Sequence, residues 1–256
     1  MSEKGIAFDK LLGIMNELRE KCPWDRNQTL ESLRHLTIEE TYELADSILE
    51  NDMDSIKKEL GDLLLHIVFY AKIADEQHSF DIKDVIESLC EKLIHRHPHI
   101  YGDVKVNNEE DVKRNWEQLK LKEGKTSVLE GVPMALPAMI KATRIQDKAR
   151  GAGFDWERAE QVWEKVEEEI KEFKAEVEKK STKEQIENEF GDVLFSMINY
   201  ARFLGINPED ALERTNRKFI RRFQYLEKES AKAGKQLHNM TLAEMDVYWN
   251  EAKSKW

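Results

Sequence analysis

Apolar residues recur along this chain at helical spacing and nowhere alternate over a useful strand length. Phe8, Leu11, Leu12, Met15 and Leu18 mark a first amphipathic helix. Cys22-Pro23-Trp24-Asp25 breaks it, leaving Asp25 or Thr29 to cap the next. The pattern predicts second and third helices over 33–49 and 56–74 around a turn at Asn51-Asp52, and the run from Leu63 to Ala71 makes the third central. A fourth helix over 85–95 is stopped by Pro98, and Val112, Trp116 and Leu119 share one side of a fifth over 109–122. Beyond Gly124, Gly131, Pro133 and Pro137, helices are predicted over 139–149, 161–177, 183–203, 211–230 and 242–252. The expected fold class is all-α.

The second half replays the first. Glu40 and Glu169 stand 129 residues apart, Glu59 and Glu189 as well as Asp62 and Asp192 stand 130 apart, and Trp24 and Trp156 stand 132 apart. Arg96 and Arg222 follow at 126, Trp116 and Trp249 at 133. Such landmarks in one order at nearly one offset indicate an internal duplication. The expected organisation is two domains, 1–123 and 138–256, joined by a linker over 124–137.

Each half carries the same acidic pattern. Glu169 and Glu172 are three apart, and Glu168 and Glu172 four apart, on one predicted helix; Glu189 and Asp192 are three apart on the next. Glu39, Glu40 and Glu43, then Glu59 and Asp62, repeat this. If the paired helices run antiparallel, two carboxylates from each converge, and their mutual repulsion calls for a cation. Oxygen-only ligation points to a hard ion, Mg²⁺ first and Mn²⁺ as its substitute. A lone Glu-Glu pair is usually a solvated face, but the repetition with Gly61 and Gly191 argues for a site. Asp62 and Asp192 also run directly into Leu63-Leu64-Leu65 and Val193-Leu194-Phe195, where a carboxylate needs a partner. Each glycine costs its helix about 1 kcal/mol relative to alanine, and close approach of the facing helix or of a ligand is the expected reason.

Cations follow the acids. Lys92 and Arg96, like Lys218 and Arg222, are four apart on one helix face. Beside a metal they suit phosphate oxygens, arginine as a fork and lysine as a point charge; the alternative is surface ion pairing. Asn216 stands two residues before Lys218, where the first half has Cys90. Trp116 and Trp249 offer rings either to a base or to the core. The alternating histidines of His95-Arg96-His97-Pro98-His99 share no helix face and have no cysteine to help, which argues against zinc.

Charge and composition narrow the partners. A formal net charge of -11 argues against a broad surface for a nucleic-acid polymer, and no apolar run is long enough to span a membrane. The two cysteines lack metal-ligand spacing, and the N-terminus, with Glu3, Lys4, Asp9 and Lys10, lacks an apolar signal core. The expected location is the cytoplasm.

The motifs together carry a resemblance. Cys22-Pro23-Trp24-Asp25, Glu39-Glu40-Thr41-Tyr42-Glu43, Glu59-Leu60-Gly61-Asp62-Leu63-Leu64 and Arg96-His97-Pro98-His99 form its first set. Gly153-Phe154-Asp155-Trp156, Glu168-Glu169-Ile170-Lys171-Glu172, Glu189-Phe190-Gly191-Asp192 and Asn216-Arg217-Lys218-Phe219 with Arg221-Arg222-Phe223 form its second. With these, the sequence resembles the MazG family of nucleoside triphosphate pyrophosphohydrolases over essentially its full length. The resemblance implies tandem MazG-type helical-bundle domains, a homodimer, and Mg²⁺-dependent cleavage of (d)NTPs between the α- and β-phosphates to (d)NMP and pyrophosphate. Broad base specificity and nucleotide-pool housekeeping are the expectation. Carried over to this chain, Glu169, Glu172, Glu189 and Asp192 hold the metal of the second domain. Lys218 and Arg222 meet the triphosphate with Asn216 and Arg221 beside them, and Trp249 contacts the nucleotide. In the first domain Glu40, Glu43, Glu59 and Asp62 match as metal ligands, with Lys92 and Arg96 as the cations. The expected chemistry is attack by water held at the metal, with Glu168 or Glu39 as base or water orienter. The second domain is the favoured working site, because Asn216 completes its polar set and Trp249 follows. Three other readings stand beside this one: a narrow-specificity pyrophosphatase, a scaffold whose acids bind divalent ions for stability alone, and a di-iron bundle. The last wants Glu-Xxx-Xxx-His from two helices, which neither cluster has.

Overall fold

The computed structural model describes residues 2–108, 111, 112, 115, 116, 119 and 127–255. All regular structure among these residues is helical, in two compact units, Met1–Asn107 and Asn108–Trp256. The helix expected over 109–122 falls largely outside the described residues.

In the first unit, α1 (Glu3–Lys21) leads through the single turn α2 (Pro23–Arg26) to α3 (Leu30–Glu50), α4 (Met53–Glu76), α5 (Ile82–Arg96) and another single turn, α6 (Pro98–Tyr101). Thr29, rather than Asp25, caps α3, in a capping box with Ser32. Met15 of α1, Leu33 of α3 and Val68, Phe69 and Ile73 of α4 form the buried core. The apolar run of the sequence therefore does make α4 central. Arg19, at the end of α1, forks onto Glu76 at the end of α4 and donates to the carbonyls of Asp25 and Gln28. This pins the α2 turn to the bundle.

The second unit holds α7 (Ala138–Gly151), α8 (Ala159–Glu178), α9 (Lys183–Phe203), α10 (Pro208–Lys232) and α11 (Leu242–Lys253), with a 3-10 turn at Leu237–Asn239. Val162 and Val166 of α8, Ile198 of α9, Leu226 of α10 and Ala252 of α11 are its buried apolar residues. Buried Lys148 of α7 donates to the carbonyls of Val128 (2.9 Å) and Glu130 (3.4 Å), holding the preceding segment against the unit.

The duplication is visible in the turns. The α3–α4 and α8–α9 hairpins each turn through a left-handed residue, Asn51 and Lys180, both at φ 55°. In each, the next amide reaches back to a carbonyl five residues earlier, Asp52 to Ser47 and Ser181 to Glu176, both at 3.1 Å. The far ends repeat it: His78 (φ 57°) follows α4, and Gly205 (φ 71°) follows α9. Each hairpin therefore brings the acids of its two helices to one place.

Candidate active site

In the first unit, ligand oxygens of Glu40 and Glu43 from α3 and Glu59 from α4 lie within 4.8 Å of one another. In the second, Glu169 and Glu172 from α8 and Glu189 from α9 do the same. Burial raises the pKa of Glu40 above the ordinary carboxylate value, and Asp62, Glu43, Glu59 and Glu39 add repulsion. Glu189 is raised in the same way, first by burial and then by Glu172, Asp192 and Glu169. Asp62 and Asp192 thus belong electrostatically to the clusters, one turn beyond the tightest trio. Both groups are purely glutamate, without the histidine a di-iron bundle would bring.

The deeply buried acids are not those next to the apolar runs. Glu59 is 5% exposed and Glu169 is 7% exposed, whereas Asp192 is exposed and Asp62 half-buried. Position along a helix sets the face, but the depth of a side chain depends on the neighbouring helix. The two units even bury opposite members of the pattern, the α4 acid in one and the α8 acid in the other. Each buried glutamate is met by a lysine of its own helix. Lys58 donates to Glu59 Oε1 at 3.1 Å, and Lys165 lies 2.7 Å from Glu169 and 3.0 Å from Glu168. At the corresponding places the other unit has Asn188 and Leu36, so neither lysine is duplicated. Glu59 Oε2 is buried without a hydrogen-bond partner. A carboxylate oxygen that is buried, unpaired and surrounded by like charge fits a divalent ion, and a hard one by its oxygen ligands.

The glycines within the clusters have a different meaning from helix packing. A methyl group at Gly61 or Gly191 would meet nothing within 4 Å, and both positions are exposed. The facing helix does not require them, which corrects that part of the sequence expectation. What remains is open space beside the acids.

Exposed Glu39 lies on α3, and Glu168 is engaged by Lys165. Lys92 and Arg96 lie on α5, the first exposed and the second half-buried. Asn216, Lys218, Arg221 and Arg222 lie on α10; Asn216 donates to Glu213 at 3.3 Å, Lys218 and Arg221 are exposed, and Arg222 is half-buried. Trp249 of α11 packs on Phe219 with ring centroids 5.0 Å apart, so part of its ring holds α11 to α10.

A cavity of about 480 Å³ opens in the second unit among α7, the 154–156 turn and α9, walled by Phe154, Trp156, Phe195, Gln146, Asn199 and Arg202. Arg202 bridges to Asp155 at 2.6 and 3.1 Å and to Asn199, fixing the turn against α9. Periodicity did not point to this cavity. The signal lay in comparing the halves: at offset 131 Gln146 replaces the buried Met15 and Ala149 replaces Leu18, and at offset 130 Asn199 replaces the buried Phe69.

A family model described as "MazG nucleotide pyrophosphohydrolase domain" matches residues 28–101 and 157–226, one copy in each unit. This chain belongs to the MazG family. It is 46% identical over 258 residues to "Nucleoside triphosphate pyrophosphohydrolase/pyrophosphatase MazG" of Thermotoga maritima, covering 99% of this chain and 98% of that one. It is 40% identical over 254 residues to "Nucleoside triphosphate pyrophosphohydrolase" of Escherichia coli K12, with 96% and 97% covered. The crystal structure of a mazG-related protein from Thermotoga maritima aligns with 44% of this chain and 98% of its own, at TM-score 0.40 and 27% identity. The MazG matches include every cluster acid and every α5 and α10 cation named above, and exclude Trp249, Trp156 and Gln146. No helix among the described residues is long and apolar enough to cross a membrane.

Proposed function

We propose that this MazG chain hydrolyses nucleoside triphosphates between the α- and β-phosphates, giving NMP and pyrophosphate, with Mg²⁺ required and Mn²⁺ a substitute. The convergence of three glutamates, one of them deeply buried, at each hairpin carries the reading. The printed names of relatives aligned over nearly the whole chain supply the reaction class. Glu169, Glu172 and Glu189, with Asp192, would hold Mg²⁺, which when bound supplies charge neutralisation at the phosphate oxygens and Lewis acidity. Lys218, Arg221 and Arg222 would bind the remaining phosphate charge, Asn216 would orient it, and Trp249 would contact the nucleotide. Glu168, once released from Lys165, would take a proton from the attacking water. Positioning and charge stabilisation would then do most of the catalysis, since among the described residues the converging group is glutamate alone.

The second unit is proposed as the working site, because a cavity walled by aromatic rings and by Gln146, Asn199 and Arg202 opens along the same helix, α9, that carries Glu189 and Asp192. The first unit's matching set, Glu40, Glu43, Glu59 and Asp62 with Lys92 and Arg96, would then bind metal without the main turnover. We also propose a homodimer, supported by exposed apolar stripes at one register in both units: Leu60, Leu64 and Ile67 on α4, and Phe190, Leu194 and Met197 on α9. A cytoplasmic setting accords with two unpaired cysteines.

Product analysis tests the reaction. Purified protein with Mg²⁺ and each (d)NTP separately should give NMP and pyrophosphate from many bases by ion-exchange chromatography. Glu172→Ala should lose at least about 100-fold in kcat while staying folded, and Glu43→Ala should lose far less. NDP plus phosphate, or no turnover, would overturn the reading. Metal that raises the melting temperature, with no further effect of nucleotide, would favour the scaffold.

A further inference from the structure

Gln146 is a buried polar side chain that the acid clusters do not use. It lies on α7 at 6% exposure and lines the second-unit cavity. Its Nε2 donates to the carbonyl of Phe195 at 2.9 Å, which fixes the orientation of the carboxamide. Oε1 is left buried without a hydrogen-bond partner. An acceptor kept dry and unpaired is costly, and such groups in native proteins call for an explanation.

The first unit shows that the fold does not require this arrangement. There the corresponding positions are Met15, Leu18 and Phe69, and both Met15 and Phe69 are core residues. In the second unit Gln146, Ala149 and Asn199 replace them, so polarity rises and the helix α7 side chains shrink where the cavity opens. Flat rings complete its walls, with Phe154 83% exposed beside Trp156 and Phe195. Aromatic walls with a few fixed polar groups suit a planar ring that carries its own donors. The cavity also shares a face with the acids. Asp192, Phe195 and Asn199 stand at i, i+3 and i+7 on α9, a rise of about 10 Å from acid to cavity.

We infer that this cavity receives the base of the nucleotide and that Gln146 Oε1 accepts a hydrogen bond from it. The inference rests on the pyrophosphohydrolase reading and names the specificity element of that same site. A single fixed acceptor is met by every natural base: by the amino group of adenine or cytosine, and by the ring N–H of guanine, uracil or thymine. The one contact therefore gives broad acceptance together with rejection of a base that has no donor.

The test is kcat/KM for ATP against purine riboside triphosphate, which differs only in lacking the 6-amino group. Wild-type protein should prefer ATP by about tenfold or more, because the analogue leaves the buried acceptor unpaired. Gln146→Met, which installs the residue the first unit uses, should bring the ratio within about twofold of one, with the melting temperature confirming a folded chain. Equal rates in the wild type overturn the assignment whatever the variant does, and so does a variant that keeps the preference. If neither nucleotide yields NMP and pyrophosphate, the reaction reading fails and takes the inference with it. If both do so at equal rates, the Gln146 assignment alone fails.

Discussion

At the residue scale, the site is built from side chains that are poor choices for stability. Glu59 and Glu169 are buried among like charges, and each is partly relieved by one lysine that the other unit does not have. Gly191 weakens α9 in the middle of the cluster although nothing packs against it. Gly191→Ala should therefore stabilise the protein by about 1 kcal/mol, raising the melting temperature by about 2–4 °C. If the open space over the acids is where the triphosphate lies, the same change should lower kcat/KM by about tenfold or more. Enzyme assay beside calorimetry separates the two effects, and a stabilised variant with full activity would show that the space is not used. The acid pattern itself was legible from spacing, because helical registry puts residues three and four apart on one face. Which acid is buried was not, since depth depends on the partner helix. Gln146 was hidden for the same reason: a glutamine inside an amphipathic pattern looks like surface until it is compared with Met15 in the other half.

At the scale of elements, periodicity located every described helix longer than one turn and placed α9 at 183–203, as observed. The ends of the others extend past the apolar pattern because local caps, not burial, decide them. Asp52 accepts the amides of Asp54 and Ser55 at the start of α4, and Asn207 those of Glu209 and Asp210 at the start of α10. The α11 cap has a pH signature. Glu244 accepts the backbone amide and hydroxyl of Thr241, and Lys235 reaches it at 2.8 Å. Lys235 first, then Thr241, lowers its pKa from 4.5 to about 2. A depressed carboxylate contributes stability that is complete above its unfolded value and lost as the pH falls through the folded one. Amide exchange in α11, the helix that carries Trp249, should accelerate between about pH 4.5 and 2 relative to α7, and Glu244→Gln should remove that pH dependence. Uniform loss of protection across both helices would mean that global acid unfolding comes first.

At the scale of the whole molecule, duplication gives two units with the same hairpins and different interiors. One copy places Met15 and Phe69 in its buried core, and at the matching positions the other has Gln146 and Asn199 lining a cavity. What both copies keep is the outer apolar stripe. Leu60, Leu64 and Ile67 on α4 match Phe190, Leu194 and Met197 on α9 at one constant offset, and all six are exposed. Residues at i, i+4 and i+7 line one helix face. Such a face in a chain with 36% charged residues is not needed for solubility, and contiguous exposed apolar surface marks an interaction site. A second copy is the partner that family resemblance implies. Light scattering after size exclusion should give about twice the chain mass of 30.1 kDa for the wild type. Leu194→Glu, placing charge on the stripe without touching the buried core, should lower that mass while the far-ultraviolet circular dichroism stays helical. If the interface also shapes the α9 face carrying Glu189 and Asp192, turnover should fall in the variant in step with dissociation and recover at high protein concentration. A wild-type mass of one chain would remove the homodimer, and an undiminished mass in the variant would place the interface elsewhere.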